Sequence, residues 1–207
     1  GGATKEEYEK VNVTQTLELA TKAKASGVKH FVFMSTVAVY GIESGVIHEN
    51  SECHPLTEYG KSKLKAEKEL RKLEDESFKV SIIRPPIVNG YNPPGNMKSL
   101  VNLVNKVPLL PFGNIQNLVD VVITQQKEGI FLASDDEPLS TSKLIELIAK
   151  NLDKKIYLIK IPFFESLLKL AKPSFHKRLY GSLEVDNSIT KEKLNLKNRY
   201  SVEEGIG

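Results

Sequence analysis

Residues 30–36, His-Phe-Val-Phe-Met-Ser-Thr, decide the fold. The run is short and apolar, without polar alternation, and is bounded by turn residues, the pattern of a strand buried on both faces. A second such run, Lys79-Val-Ser-Ile-Ile-Arg84, is stopped by Pro85-Pro86. Proline has no N–H to give a sheet ladder, so the chain must leave the sheet there. Upstream, residues 5–26 carry a helical pattern, with Val11, Val13, Leu17, Leu19, Ala20 and Ala23 near one face and Gly27 where a C-terminal cap belongs. Between the two strands, a loop rich in Gly, Ser, Glu and His runs to about Thr57, and residues 58–73 form an amphipathic, lysine-rich helix. Helix, buried strand, helix, buried strand is the rhythm of a parallel sheet with helices on its faces.

Beyond Pro94 the composition changes. Residues 96–106 read as a helix, 130–134 as a strand, and 140–152 as a helix opened by Ser140 or Thr141. Residues 155–161 alternate as a half-buried strand, 162–172 read as a helix, and 188–194 form a last helix with Asp186 or Asn187 as its N-cap. The expected organisation is a sheet-forming part over 1–94 and a mixed α+β part over 95–207.

Composition narrows the classes of function. The chain has 207 residues, 40% hydrophobic and 27% charged, enough to bury a core. It contains no run of about 18 apolar residues that could cross a membrane, and its start lacks a signal-peptide pattern. The single cysteine, Cys53, excludes an internal disulfide, and His30, His48, His54 and His176 lack metal-ligand spacing. A net charge of +3 hints at nucleic acid, but the lysines sit among glutamates and no aromatic residues interleave with them. The expectation is a cytoplasmic, metal-free protein with neither nucleic-acid nor membrane partners.

Three segments carry candidate chemistry. Tyr59 and Lys63 stand four apart on the lysine-rich helix and project from one face. A cation beside a phenol favours phenolate and makes Tyr59 a usable general base. With 25 lysines in the chain, one such spacing is expected by accident. Ser35-Thr36 lies at the carboxyl end of the first strand, where open parallel sheets bind ligands. Taken alone, this pair is better read as a strand end whose hydroxyls merely satisfy the backbone. Arg84-Pro-Pro-Ile-Val-Asn-Gly90 leaves the sheet at the corresponding end of the second strand.

Together these segments resemble the extended short-chain dehydrogenase/reductase family, and within it the nucleotide-sugar epimerases and dehydratases. Met34-Ser-Thr-Val-Ala-Val-Tyr-Gly41 is similar to that family's S-[ST]-x-x-V-Y-G segment, and Pro55 to Glu67 to its P-x-x-x-Y-x-x-S-K-x-x-x-E helix. Val11-Asn-Val-Thr-Gln-Thr16 resembles its N-V-x-G-T helix start, with Gln15 in place of Gly, and Arg84 to Gly90 its R-P-x-x-V-x-G loop. Arg178 to Asp186, followed by Leu194-Asn-Leu, resembles the tail of polysaccharide-type sugar epimerases. The likeness runs from about residue 5 to 207.

The resemblance implies a Rossmann-like, doubly wound parallel sheet, with 1–94 part of an NAD-binding domain and 95–207 mainly a smaller α+β substrate domain. It implies NAD as cofactor, a UDP-sugar as substrate, and 4-epimerisation through a 4-keto intermediate in polysaccharide biosynthesis. Tyr59 would take the sugar 4-hydroxyl proton, Lys63 would bond the cofactor ribose and hold the Tyr59 pKa down, and Thr36 would hydrogen-bond the same sugar oxygen. Asn12 and Pro86 would lie on the cofactor, and Arg178 would pair with the substrate pyrophosphate. A homodimer is a candidate assembly.

Val37-Ala38 stand where the 4,6-dehydratases carry Asp-Glu, so dehydration is disfavoured. Ile87 stands where many UDP-galactose epimerases have a substrate-binding Asn, so the sugar stays open. A keto-sugar reductase and a non-catalytic binding relative remain as alternatives. The family's glycine-rich phosphate loop is missing from the sequence, and Gly113-Asn-Ile-Gln-Asn-Leu-Val-Asp120 is compressed relative to the family pattern. Both departures lead us to expect a piece of a longer chain, inactive by itself, with junctions at Asn117–Leu118, near Gly2–Ala3 and at Thr124–Gln125.

Overall fold

The computed structural model describes residues 3–86, 113–134 and 183–198, together with the helical positions Glu146, Lys150 and Leu170. The other segments assigned from sequence, 96–106, 155–161 and most of 140–152 and 162–172, lie outside the described residues, as does Arg178.

The first helix starts at a capping box. Thr4 Oγ1 accepts from the Glu7 N–H at 3.2 Å and the Glu7 carboxylate accepts from the Thr4 N–H at 2.6 Å, so two of the otherwise unpaired donors are satisfied. The helix then runs through α1 (Lys5–Tyr8), a π-helical segment (Glu9–Gln15) and α2 (Thr16–Ala25). The 5–26 expectation holds, but Val11 to Thr16, matched as a helix start, lies mid-helix because Thr4 opens the helix earlier. The wider π turns also change the helical phase. Val13 and Ala20 face the core, whereas Val11 and Leu19 point outward, against the single face expected for all of them.

β1 (His30–Met34), β3 (Lys79–Arg84) and β4 (Gly129–Leu132) form one parallel sheet in the order β1-β3-β4. Met34 pairs with Ile83, and Arg84 with Leu132, so the three carboxyl ends lie side by side. Alternation along β3 sends its side chains into two of the three buried clusters among the described residues. Val80 and Ile82 pack with Phe33, Val13, Ala20, Ala66 and Leu70 under α2 and α3 (Glu58–Arg71). Ile83 packs with Phe131, Leu118, Val122 and Leu194 under α4 (Gly113–Gln125) and α5 (Ser188–Leu194). Helices on both faces make the doubly wound arrangement that the sequence predicts.

Two expectations need correction. β1 ends at Met34 rather than Thr36, since the chain turns at Ser35-Thr36 into a 3-10 turn, Val37–Val39. The stretch read as loop contains β2 (Gly45–Ile47), which pairs in parallel with β5 (Leu183–Val185). Both strands have only three residues, too few for a pattern to show. β4, on the far side of the boundary expected at residue 94, joins the sheet through β3. Asn117–Leu118 and Thr124–Gln125, the expected junctions, lie within α4, where Leu118 and Val122 are buried. At α5, Asn187 is the N-cap by position, but it is the Asp186 carboxylate that accepts from the Ser188 N–H, at 2.9 Å. Among the described residues no helix is long and apolar enough to cross a membrane.

Candidate active site at the carboxyl end of the sheet

Ser35 and Thr36 extend β1 past its last paired residue and remain tied to β3. The Ser35 N–H donates to Ile83 O at 2.7 Å, and the Val37 N–H to Pro85 O at 2.9 Å. Thr36 keeps an extended backbone, and its Oγ1 accepts from the Ala38 N–H at 3.2 Å. Part of the plain backbone-satisfying reading is therefore correct. The hydroxyl proton still has a donor role to fill. The Pro85 carbonyl contact sets half-buried Pro86 next to this turn.

α3 begins at Thr57, whose Oγ1 accepts from the Gly60 N–H at 3.1 Å. Its first turn lies against the 37–39 turn, and Gly60 permits that approach. A Cβ at Gly60 would stand 2.8 Å from Ala38 O and 3.1 Å from Pro55 Cβ. Tyr59 and Lys63 thereby reach the carboxyl end of β1. The Lys63 ammonium donates to Met34 O at 2.9 Å and lies 4.6 Å from the Phe33 ring centre and 6.0 Å from that of Tyr59.

The electrostatics differ from the expectation. Lys63 does not hold Tyr59 down: burial, then neighbouring Tyr8, push the Tyr59 phenol above its ordinary value. The Tyr8 ring centre is 5.7 Å away, and the ammonium that was to favour phenolate is directed to a backbone carbonyl. Burial also lowers the Lys63 pKa, while Glu67, one turn further along α3, raises it.

Asn12, expected on the cofactor, gives its amide to Ser62 Oγ at 2.9 Å, and Ser62 Oγ in turn donates to Tyr59 O at 2.8 Å. It thus joins the π-helical segment to the backbone of the tyrosine-bearing helix. The structure adds an unforeseen group beneath the site, the ion pair of Glu67 and Arg84, 2% and 3% exposed. Burial opposes the Arg84 charge, but the Glu67 carboxylate outweighs it and holds the guanidinium more firmly protonated than usual. Both residues stand in the quoted motifs, yet nothing in their spacing says that they meet. Tyr40 packs beneath the pair, 4.8 Å from ring centre to guanidinium carbon. Gly41, next in the chain, has φ +69°, and a Cβ there would stand 1.9 Å from His54 O, a position that only glycine fills without rebuilding the loop.

The residues present suit one half of a dinucleotide. Lys63 has three donors and spends one on Met34 O, leaving two for a ribose diol beside a half-buried phenol. The sequence holds no glycine-rich loop for a pyrophosphate.

Comparison with known proteins bears on this arrangement. Residues 2–123 match the profile of the NAD dependent epimerase/dehydratase family. A UDP-glucose 4-epimerase of Vibrio cholerae is 37% identical over 221 residues, covering 96% of this chain and 67% of that protein. That span exceeds the chain's own 207 residues, so the relative carries residues within the matched region that this chain lacks. An N-acetyl-alpha-D-glucosaminyl-diphospho-ditrans,octacis-undecaprenol 4-epimerase of Escherichia coli O157:H7 is 28% identical, covering 75% of this chain and 52% of that protein. Among solved structures, UDP-glucuronic acid 4-epimerase from Bacillus cereus in complex with NAD superposes with a TM-score of 0.72 at 19% identity, covering 100% of this chain and 68% of that one. A profile match over more than half the sequence, on a doubly wound parallel sheet, settles membership: the chain belongs to the NAD dependent epimerase/dehydratase family.

Proposed function

We propose that the protein is an NAD-dependent 4-epimerase of a UDP-sugar, working through a 4-keto intermediate. What supports the reading is that Lys63, 6.0 Å from the Tyr59 ring centre, bonds Met34 O at the end of β1, and that Gly60 of the same helix lies against Ala38, two residues past Thr36, in a chain whose 37%-identical relative is a UDP-glucose 4-epimerase.

The chemistry divides among these residues. Bound NAD supplies a reversible acceptor for the hydride from sugar C4. Tyr59 takes the proton of the 4-hydroxyl and later returns it, so one group serves as base and then as acid. Its raised pKa fits the second duty, and the first needs a positive charge near the phenol. Lys63 meets that need by turning from Met34 O toward the ribose and the phenolic oxygen. Thr36 accepts from Ala38 and so has its proton to donate to the sugar oxygen. Val37 and Ala38 have no proton to transfer, so a 4-keto sugar formed here is not carried on to dehydration by them. Arg178 would face the substrate pyrophosphate, and Pro86 the nicotinamide end of the cofactor. Polysaccharide synthesis in the cytoplasm is the setting we assign.

The test is incubation of the full-length protein with UDP-glucose and UDP-N-acetylglucosamine without added reductant. Interconversion at C4 supports the proposal. Consumption of NAD(P)H with a keto sugar, without interconversion, replaces it with a reductase.

A further inference from the structure

Glu67 follows Lys63 by one helical turn and Tyr59 by two, on the same side of α3. Its buried carboxylate accepts three hydrogen bonds. Ser35 Oγ donates at 2.5 Å, Arg84 Nε at 3.0 Å and Arg84 Nη2 at 2.5 Å. Each donor adjoins a residue of the site: Ser35 precedes Thr36, and Arg84 precedes Pro85-Pro86. The guanidinium also lies over the ring of Tyr40, which stands on the connection from β1 to α3. One buried network therefore touches β1, its connection, α3 and β3 where their site residues meet.

Stability alone does not explain two charges in this place. Withdrawing both from water offsets most of their attraction, and apolar residues of similar volume commonly stabilise as well or better. An apolar contact cannot fix direction, whereas the two-pronged bond between guanidinium and carboxylate fixes distance and angle together. Hydride and proton transfer demand that precision, and a misplacement of about 1 Å can cost ~10²-fold in rate.

We infer that Glu67 and Arg84 are positioning residues, which set where the Ser35-Thr36 strand end meets the Tyr59–Lys63 face of α3. The inference rests on the epimerase reading above. Its test is the double variant Glu67→Leu/Arg84→Met of the full-length protein, which removes both charges and leaves neither unpaired. The expected kcat is lower by about 10- to 100-fold. KM for the UDP-sugar and the content of bound NAD should stay within about threefold. Amide hydrogen exchange at Val37 and Ala38 should accelerate. Ser35→Ala leaves the ion pair intact and cuts one of the three bonds, so its kcat should fall by about three- to tenfold with KM held. If the double variant does not fold, Ser35→Ala decides by the same two readouts. Wild-type kcat and wild-type exchange overturn the inference. If the wild-type protein epimerises no UDP-sugar, the epimerase reading falls, and exchange at Val37 and Ala38 still decides the positioning: acceleration upholds it, and no change overturns it.

Discussion

The two ends of the three-stranded sheet are both stitched across strands by side chains, but with different chemistry. At the amino end, His30 of β1 lies 2.6 Å from Ser81 Oγ of β3, and Ser81 donates to Lys127 O just before β4. Since the serine proton goes to that carbonyl, His30 Nε2 is the donor to Ser81, and no charge is needed. At the carboxyl end the corresponding stitch is Ser35, Glu67 and Arg84, built on a buried ion pair. A neutral hydrogen bond is enough to keep parallel strands together. Directed, charged bonds occur where Thr36, Tyr59 and Lys63 must be held in register. Breaking each end should therefore harm different properties: placement and rate at the carboxyl end, modest stability at the amino end.

The largest effect belongs to the reacting group. Tyr59→Phe keeps the ring against Tyr8 and removes only the proton carrier, so kcat should fall by about 10² to 10⁴ with UDP-sugar binding retained. Turnover at the wild-type rate would assign the base to another residue and detach the carboxyl end from catalysis. Next in size is Arg84→Met alone, which leaves the Glu67 carboxylate buried without its cation. A stability loss of about 3–5 kcal/mol is expected in urea unfolding. A loss below about 1 kcal/mol would put this pair among the surface salt bridges, such as Lys61–Glu58 at 2.7 Å. Gly60→Ala follows. The added Cβ meets a backbone oxygen at 2.8 Å, so α3 must move off the 37–39 turn, at about 1–3 kcal/mol and with a lower kcat. An alanine variant with unchanged kcat and unfolding midpoint would show that α3 has room to spare there.

These cases also mark what the sequence makes legible. β1 and β3 are readable because strands covered on both faces must be apolar along their length, and α3 because its lysines and leucines alternate at helical spacing. Tyr59, Lys63 and Thr36 can be placed because each has its position fixed by a single element, a helix face or a strand end. The Glu67–Arg84 contact is not readable, since 17 residues separate the partners and only the packing of α3 on the sheet joins them. β2 and β5 are hidden for the same reason: three residues carry too little periodicity, and their pairing spans most of the chain. The π-helical segment leaves no mark in composition. It is visible only through the outward turn of Val11 and Leu19. The direction of the Tyr59 shift is not legible in the sequence, because helical spacing places Lys63 on the right face without saying which oxygen its ammonium will choose.

The smallest effect tests the amino end, and its sign follows from His30. Burial, then the charge of Lys79, lower the His30 pKa below its ordinary 6.5. The native ring therefore stays neutral in a range where the unfolded chain already takes up a proton. Wherever the unfolded state binds more protons, stability rises with pH. The His30 contribution is accordingly complete above about pH 6.5, declines as pH falls below that value, and levels off under the native pKa. His30→Gln keeps a donor for Ser81 and cannot titrate. At pH 8 it should cost about 0.5–1.5 kcal/mol, the scale of one hydrogen bond, with kcat within about twofold of wild type. Urea midpoints measured at pH 8 and pH 5 should then lie closer together in the variant than in the wild type. Equal separations would mean that His30 does not titrate differently on folding, and a large loss of kcat would show that the amino end also governs the site.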